Sequence, residues 1–207
     1  MAHHIFFEGG LGAGKTMGMV LLAHYFKEQA EKQGARIQLF SNFEVRESQM
    51  LEHYSDWYDV AAAHGSICLW DEAHMAFSNR QWSRHGNEIA TQVMMYTRKM
   101  QSLQMYASPS INNVDSRIRQ IIELLVTMRH IPKKGFRFYF RDYQTGEHLR
   151  TVFFPMWKAE KVFKLNLYDT HGMVRSFPLP RTEKESEQFF DKLEEIHDKN
   201  RRKVLIS

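Results

Sequence analysis

Hydrophobic and polar positions follow two rhythms along this chain, and the change comes at Pro132. Before it, short apolar runs are separated by stretches of helical spacing. His4 to Glu8 (HIFFE), Arg36 to Asn42 (RIQLFSN), Ser66 to Asp71 (SICLWD), Leu103 to Ser108 (LQMYAS) and Ile121 to His130 (IIELLVTMRH) read as strands. The third, SICLWD, is an uninterrupted apolar run of the kind found in parallel strands covered on both faces. Thr16 to Gly34 reads as a helix, apolar nearly all round at its start, polar by Lys27 and stopped by Gly34. Gly86 to Gln101 reads as another helix, and Val114 to Gln120 as a helical turn. Strands alternating with helices predict an α/β core built on a mostly parallel central sheet.

After Pro132 the period drops to two. Gly135 to Phe154 alternates around a Thr145-Gly146 turn, the signature of a β-hairpin. Lys161 to Thr170 (KVFKLNLYDT) reads as a last strand. Thr182 and Glu185 have the spacing of a capping box, opening a C-terminal helix with Phe189, Leu193 and Ile196 on one face and a KNRRK ending. The expected division is a main domain over residues 1–180, hairpin included, and an amphipathic helix with a basic tail over 181–207. No internal repeat or low-complexity tract interrupts it.

Composition narrows the setting. At 207 residues and 43% hydrophobic the chain can bury a core. The lone Cys68 leaves no disulfide framework and no zinc site, as expected for a reducing compartment. The N-terminal stretch MAHHIFFEGG lacks the plan of a signal peptide, and no apolar run approaches the ~18 residues of a membrane span. A soluble intracellular protein is expected. A net charge of +4 permits a nucleic-acid partner without requiring one.

The candidate chemistry begins directly after the first strand. Gly9, Gly10, Leu11, Gly12, Ala13, Gly14, Lys15 and Thr16 fit the phosphate-binding loop pattern, with Met17 next in the helix that follows. Glycines let successive N–H groups turn towards one anion, and the helix adds its positive N-terminal end. Lys15 would reach the β- and γ-phosphates of ATP, and the Thr16 hydroxyl would ligate Mg²⁺.

With a cradle upstream, the strand ending in Asp71-Glu72 acquires a meaning. An acid at such a strand end holds the magnesium ion, so Thr16 and Asp71 form the expected metal pair. Glu72 is placed to orient or deprotonate a water, which points to hydrolysis. Asp71-Glu72-Ala73-His74 also spells the signature of a helicase class, but such helicases need a second lobe. The residues after Glu72 turn into a hairpin and a helix, leaving none. His74 is expected to be a helix-start residue.

The ordered set of signals resembles the ATPase domain of zonula-occludens-toxin-like proteins, near the FtsK/HerA-type translocases and the packaging ATPases of tailless membrane-containing viruses. It comprises GGLGAGKT, the Ser41-Asn42 strand end, LWDEAH with Arg80 after it, YTRKMQSLQMYAS, VDSRIR and the late Tyr168-Asp169-Thr170. The resemblance implies a RecA-like P-loop core and a homo-oligomeric ring whose sites are completed by an arginine from the neighbouring subunit. It also implies double-stranded DNA as the track, with packaging into a capsid as the expected task, in a host cytoplasm or in the virion. Ser108 stands where relatives carry a glutamine or asparagine sensing the γ-phosphate. Toxin-like relatives continue into a transmembrane segment that is not seen here, which moves the expectation from secretion with a membrane partner towards packaging.

Arg80, Arg84 and Arg98 are the first candidates for the finger, ahead of Arg117 and Arg119. Arg98-Lys99, Lys133-Lys134, Arg137, Arg141 and Lys199 to Lys203 are candidates for sequence-independent phosphate contacts. Tyr106, Phe138 and Tyr139 read as core or strand-face residues. A nucleotide-gated interaction protein is the rival of another class, and Glu72 argues against it, since a switch needs no base.

Overall fold

The computed structural model describes residues 3–63, 65–77 and 84–206, with the backbone alone at 84, 85, 87 and 201–206. The strands are β1 (His4–Glu8), β2 (Gln38–Ser41), β3 (Ser48–Met50), β4 (Ser66–Trp70), β5 (Ser102–Ser108), β6 (Leu124–Ile131), β7 (Gly135–Asp142) and β8 (His148–Pro155). They form one sheet in the order β3-β2-β4-β5-β1-β6-β7-β8. From β3 to β6 every neighbour pairs in parallel, and β7 and β8 add an antiparallel hairpin at one edge. β1 thus lies between β5 and β6, with Glu8 opposite both Ser108 and Thr127.

The helices are α1 (Lys15–Lys32), α2 (Trp57–Ala62), α3 (Ala73–Ala76), α4 (Arg84–Lys99), α5 (Ser116–Ile121), α6 (Met156–Lys164) and α7 (Glu183–Ile206). On one face of the sheet, Phe6, Cys68, Trp70 and Tyr106 pack with Trp57 of α2, Val93 of α4, Ile118 of α5 and Phe189 and Leu193 of α7. On the other, Ile5, Phe7, Leu69, Met105 and Val126 pack with Met17 and Val20 of α1 and Ala159 of α6. Alternate residues of each central strand therefore enter two separate cores, which is why β4 reads as an unbroken apolar run. The capping box is formed: Glu185 N–H donates to Thr182 Oγ1 at 3.2 Å, and Thr182 N–H donates to a Glu185 carboxylate oxygen at 3.1 Å.

The strand expected over 161–170 is instead the second half of α6 followed by a turn at Leu165-Asn166, where Asn166 has φ 48°. Tyr168 makes a single antiparallel bridge to Val45. Met156, Ala159 and Val162 meet the second core at three-residue intervals. That helical spacing prevails over the local alternation of KVFKLNL, because burying these side chains against β7 and β8 outweighs strand propensity. The pattern also gave no signal for β3 and α2. Their two short stretches owe their form to the neighbours they pair with or pack on.

His4 starts β1 buried, its Nδ1 3.0 Å from the Tyr106 hydroxyl. Burial lowers its pKa to about 4, against an opposing pull from the Glu123 carboxylate, while His3 adds a smaller push downward. The unfolded chain therefore takes up this proton near pH 6.5 and the folded chain only near pH 4, so stability falls as pH drops through that window. His24 is shifted the same way, chiefly by burial. Urea unfolding from about pH 7 to about pH 4.5 is expected to show this loss. His4→Gln is expected to remove about 2–3 kcal/mol of it, leaving the share of His24. An unchanged pH slope in the variant would contradict the assignment.

Candidate active site

The loop from Gly9 to Gly14 joins the middle of the sheet to the first turn of α1. Two of its glycines are required by contact. A Cβ on Gly9 would lie 2.5 Å from the Met128 carbonyl oxygen. At Gly14, which has φ 87° and N-caps α1, a Cβ would lie 2.9 Å from the Phe136 ring. The loop is thus seated against β6 and β7, with no room for a side chain at Gly9 or Gly14. Lys15 is buried, and its ammonium donates to the Gly10 carbonyl at 3.2 Å. Leu11 stands fully exposed at the loop tip, whereas the Met17 side chain is buried in the second core.

β4 pairs in parallel with β2 and β5, and β5 in parallel with β1, so the C-terminal ends of β4 and β1 lie along the same edge of the sheet with β5 between them, and Asp71 comes within hydrogen-bond reach of Thr16. Thr16 Oγ1 donates to Asp71 Oδ2 at 2.9 Å. A hydroxyl and a carboxylate in contact are the hard oxygen donors that Mg²⁺ takes, and the remaining positions suit waters and phosphates. Burial raises the Asp71 pKa, helped by the Glu72 charge. The Thr16 hydroxyl bond, the Glu72 N–H and the Lys15 charge oppose that rise. The mostly parallel sheet and short loops bring together what the sequence pairing anticipated.

Two residues enter the site without having been singled out for it. Asn42, at the end of β2 and fully buried, accepts from Asp71 N–H at 2.8 Å. Its amide donates to the Asp71 carbonyl at 3.1 Å and to the Arg175 carbonyl at 3.0 Å. This side chain holds the backbone of Asp71 in place. Its only sequence signal was the Ser-Asn strand end. His74, on α3, has Nδ1 3.3 Å from Glu72 Oε2 and 3.3 Å from Ser108 Oγ. It lies in a helix start as expected, and it also ties the acid pair to the end of β5. Glu72 itself occupies the left-handed region, φ 46° and ψ 48°, a conformation that costs a non-glycine residue energy and clusters at functional sites.

Ser108 is buried and donates to the Ser110 carbonyl at 3.3 Å. Tyr168 reaches the same neighbourhood: burial raises its pKa, with the Asp71 charge adding to the effect. Arg98 is exposed in the last turn of α4, next to the start of β5 and so at the opposite end of the sheet from the cradle. Arg80 lies outside the described residues, and of Arg84 only the backbone is described, at the start of α4. Arg117 is exposed on α5, and Arg119 donates to Asn112 Oδ1 at 3.4 Å. Tyr106 and Phe138 are core residues, as read from the sequence.

This arrangement is similar to known P-loop ATPase folds. The N-terminal domain of zonular occludens toxin from Neisseria meningitidis superposes with a TM-score of 0.54 at 14% identity, over 82% of this chain and 100% of that one. The genome packaging NTPase B204 from Sulfolobus turreted icosahedral virus 2, in complex with ATP-γS, gives 0.51 at 10% identity, over 74% and 98%. The DNA-packaging ATPase B204 from Sulfolobus turreted icosahedral virus gives 0.52 at 10%, over 74% and 97%. At these identities the likeness is one of fold. No curated protein matches the chain in sequence. Among the described residues no helix is long and apolar enough to cross a membrane. The family model for zonular occludens toxin (Zot) matches residues 21–172, most of the chain, and the chain belongs to that family.

Proposed function

We propose that this protein is an ATP-hydrolysing motor that moves double-stranded DNA, working as a homo-oligomeric ring, with genome packaging into a capsid as its task. The observation that carries the ATPase reading is the contact of Thr16 with Asp71 at 2.9 Å, beside a glycine loop seated at the end of β1. Gly9 to Thr16 bind the ATP phosphates, and Lys15 swings from the Gly10 carbonyl to the β- and γ-oxygens. Thr16 and Asp71 hold Mg²⁺, which supplies charge neutralisation to the phosphates when bound. Glu72 orients a water towards the γ-phosphorus and takes its proton as the new P–O bond forms. The bond to the β-phosphate oxygen breaks, and ADP leaves with the electron pair.

Ser108, held by His74, lies where the γ-phosphate is sensed. An arginine from a neighbouring subunit completes the site, with Arg80, Arg84 and Arg98 as candidates. Such a finger contributes roughly 10³- to 10⁵-fold in rate. The position of Arg98 away from its own cradle supports action in trans over action within one subunit. The packaging NTPases of similar fold support the DNA track. The Zot family match favours a second reading, in which the same engine exports or assembles phage DNA with a membrane-protein partner. It predicts a stable complex with that partner and weak stimulation by DNA alone.

Lys15→Ala and Asp71→Asn are each expected to abolish turnover in a steady-state phosphate-release assay. Glu72→Gln is expected to keep nucleotide binding while slowing hydrolysis about 10²- to 10⁴-fold. Asn42→Ala, which frees the Asp71 backbone, is expected to lower kcat about 10- to 100-fold with the fold retained. Full activity in that variant would show that the clamp is structural only. Turnover per subunit is expected to rise with protein concentration and again on adding long duplex DNA. A rate indifferent to both would remove the packaging reading and leave a switch or an engine that lacks its partner.

A further inference from the structure

The sheet has one stretch that no described helix covers. Residues directly opposite one another in antiparallel strands share a face, and the registers are Leu125↔Arg141, Thr127↔Tyr139 and Arg129↔Arg137, continued by Arg137↔Phe153 and Tyr139↔Thr151. Leu125 belongs to the first core, beneath Ile118 and Ile122. Beyond it the same face carries Arg129, Arg137, Arg141, Thr151 and Phe153, all exposed, with Tyr139 half-buried among them. The opposite face of these strands packs against α1 and α6. This is therefore an open, outward-looking platform on β6, β7 and β8.

Its exposed charge is positive, with the Glu8 carboxylate on the same face at its inner margin, where Thr127 separates it from Arg141. Arg129 lies over the Tyr139 ring, 5.8 Å from the centroid, and Arg137 donates to the Tyr139 hydroxyl at 3.4 Å. Arg141 donates to Thr127 Oγ1 at 3.4 Å. Among the described residues, none of the three guanidinium groups forms an ion pair with a carboxylate. Arg129 and Arg137 stand directly opposite each other, an unfavourable placement for like charges in a ladder. Three exposed guanidinium groups with no carboxylate paired to them among the described residues, and only the half-buried Glu8 carboxylate behind Thr127, favour an anionic partner. The extent suits a polyanion: Arg137 and Arg141 are four residues apart, about 13 Å along the strand, close to the rise of about four nucleotides at 3.4 Å each.

We propose that this arginine face of β6–β8 seats the phosphate backbone of duplex DNA. The inference rests on the reading of the protein as a DNA motor and names the surface that meets the track. A docking surface for protein would be depleted of charge at its centre, whereas nucleic-acid interfaces are polar and strongly positive. Arginine forks bind phosphate oxygens in pairs, and Tyr139 holds two of them in place. The face also adjoins the engine. Thr127, which accepts from Arg141, donates to Glu8 Oε1 at 2.9 Å, and Glu8 is the residue immediately before Gly9 of the cradle.

The test is a salt titration of the full chain binding a long random-sequence duplex. Each phosphate contact adds about 0.9 to the slope of log K against log salt concentration. The triple variant Arg129→Gln, Arg137→Gln, Arg141→Gln is expected to lose about two to three units of slope and to bind at least tenfold more weakly at low salt. Its thermal unfolding checks that it is folded. The matching triple Arg→Lys variant is expected to keep most of the slope, because the charges remain. Binding by the triple Gln variant with the unmodified protein's slope would overturn the face while sparing the motor reading. So would loss of self-association with DNA affinity intact, which would make the face a contact between copies of this chain. Failure of the unmodified protein to bind the duplex at all would remove the DNA reading, and the proposed face with it.

Discussion

The seating of the glycine loop against β6 and β7 is the constraint on which the rest of the site depends. β1 lies in the middle of the sheet, so the chain leaving it must turn over the ends of its neighbours. It can do so only where the backbone comes within contact of the Met128 carbonyl and the Phe136 ring, leaving no volume for a Cβ at Gly9 or Gly14. The hairpin that contributes Phe136 is therefore part of the wall behind the cradle as well as an edge of the sheet. Its two faces divide the labour: phenylalanines pack against α1 on one, and arginines face outward on the other.

From that seat the acid pair is positioned by backbone pairing. β2, β4, β5 and β1 run in parallel, so their C-terminal ends come together along one edge. Asn42, Asp71, Ser108 and Gly9 all follow from this single fact of topology. The side chains then secure one another. Asn42 grips both polar groups of the Asp71 backbone, Thr16 meets the carboxylate, and His74 links Glu72 to Ser108. Burial works against ionising Asp71, and the Thr16 hydroxyl and the Lys15 charge oppose it.

The C-terminal helix shows how the same sheet recruits distant chain. Phe189 sits at the edge of the Tyr54 ring, 5.8 Å between centroids, and packs against Tyr58. Phe177, upstream of the helix, is 5.3 Å from Trp57 and 5.0 Å from Trp70. Residues from the last part of the sequence thus help close the core that backs β4, the strand bearing the acid pair.

Much of this was legible in the chain. The five parallel strands β1, β2, β4, β5 and β6, the helix after the cradle, the hairpin and the capping box are local patterns, since each depends on residues close in sequence. The glycine loop and the acid pair were legible for the same reason: their chemistry needs particular residues at particular spacings. Lys161 to Thr170 was misread because its alternation and its three-residue spacing compete, and only the presence of the hairpin to pack against favours the helix. Asn42 and His74 could not be assigned from sequence, because a lone amide or imidazole has no role until a strand order puts it 3 Å from an acid. The arginine face depends likewise on register: Arg129 and Arg137 become opposite neighbours only when β6 and β7 pair as they do. By itself the sequence determined the elements and the chemistry of the loop, which are local; the tertiary structure decided which side chains meet, because long-range pairing alone sets those distances.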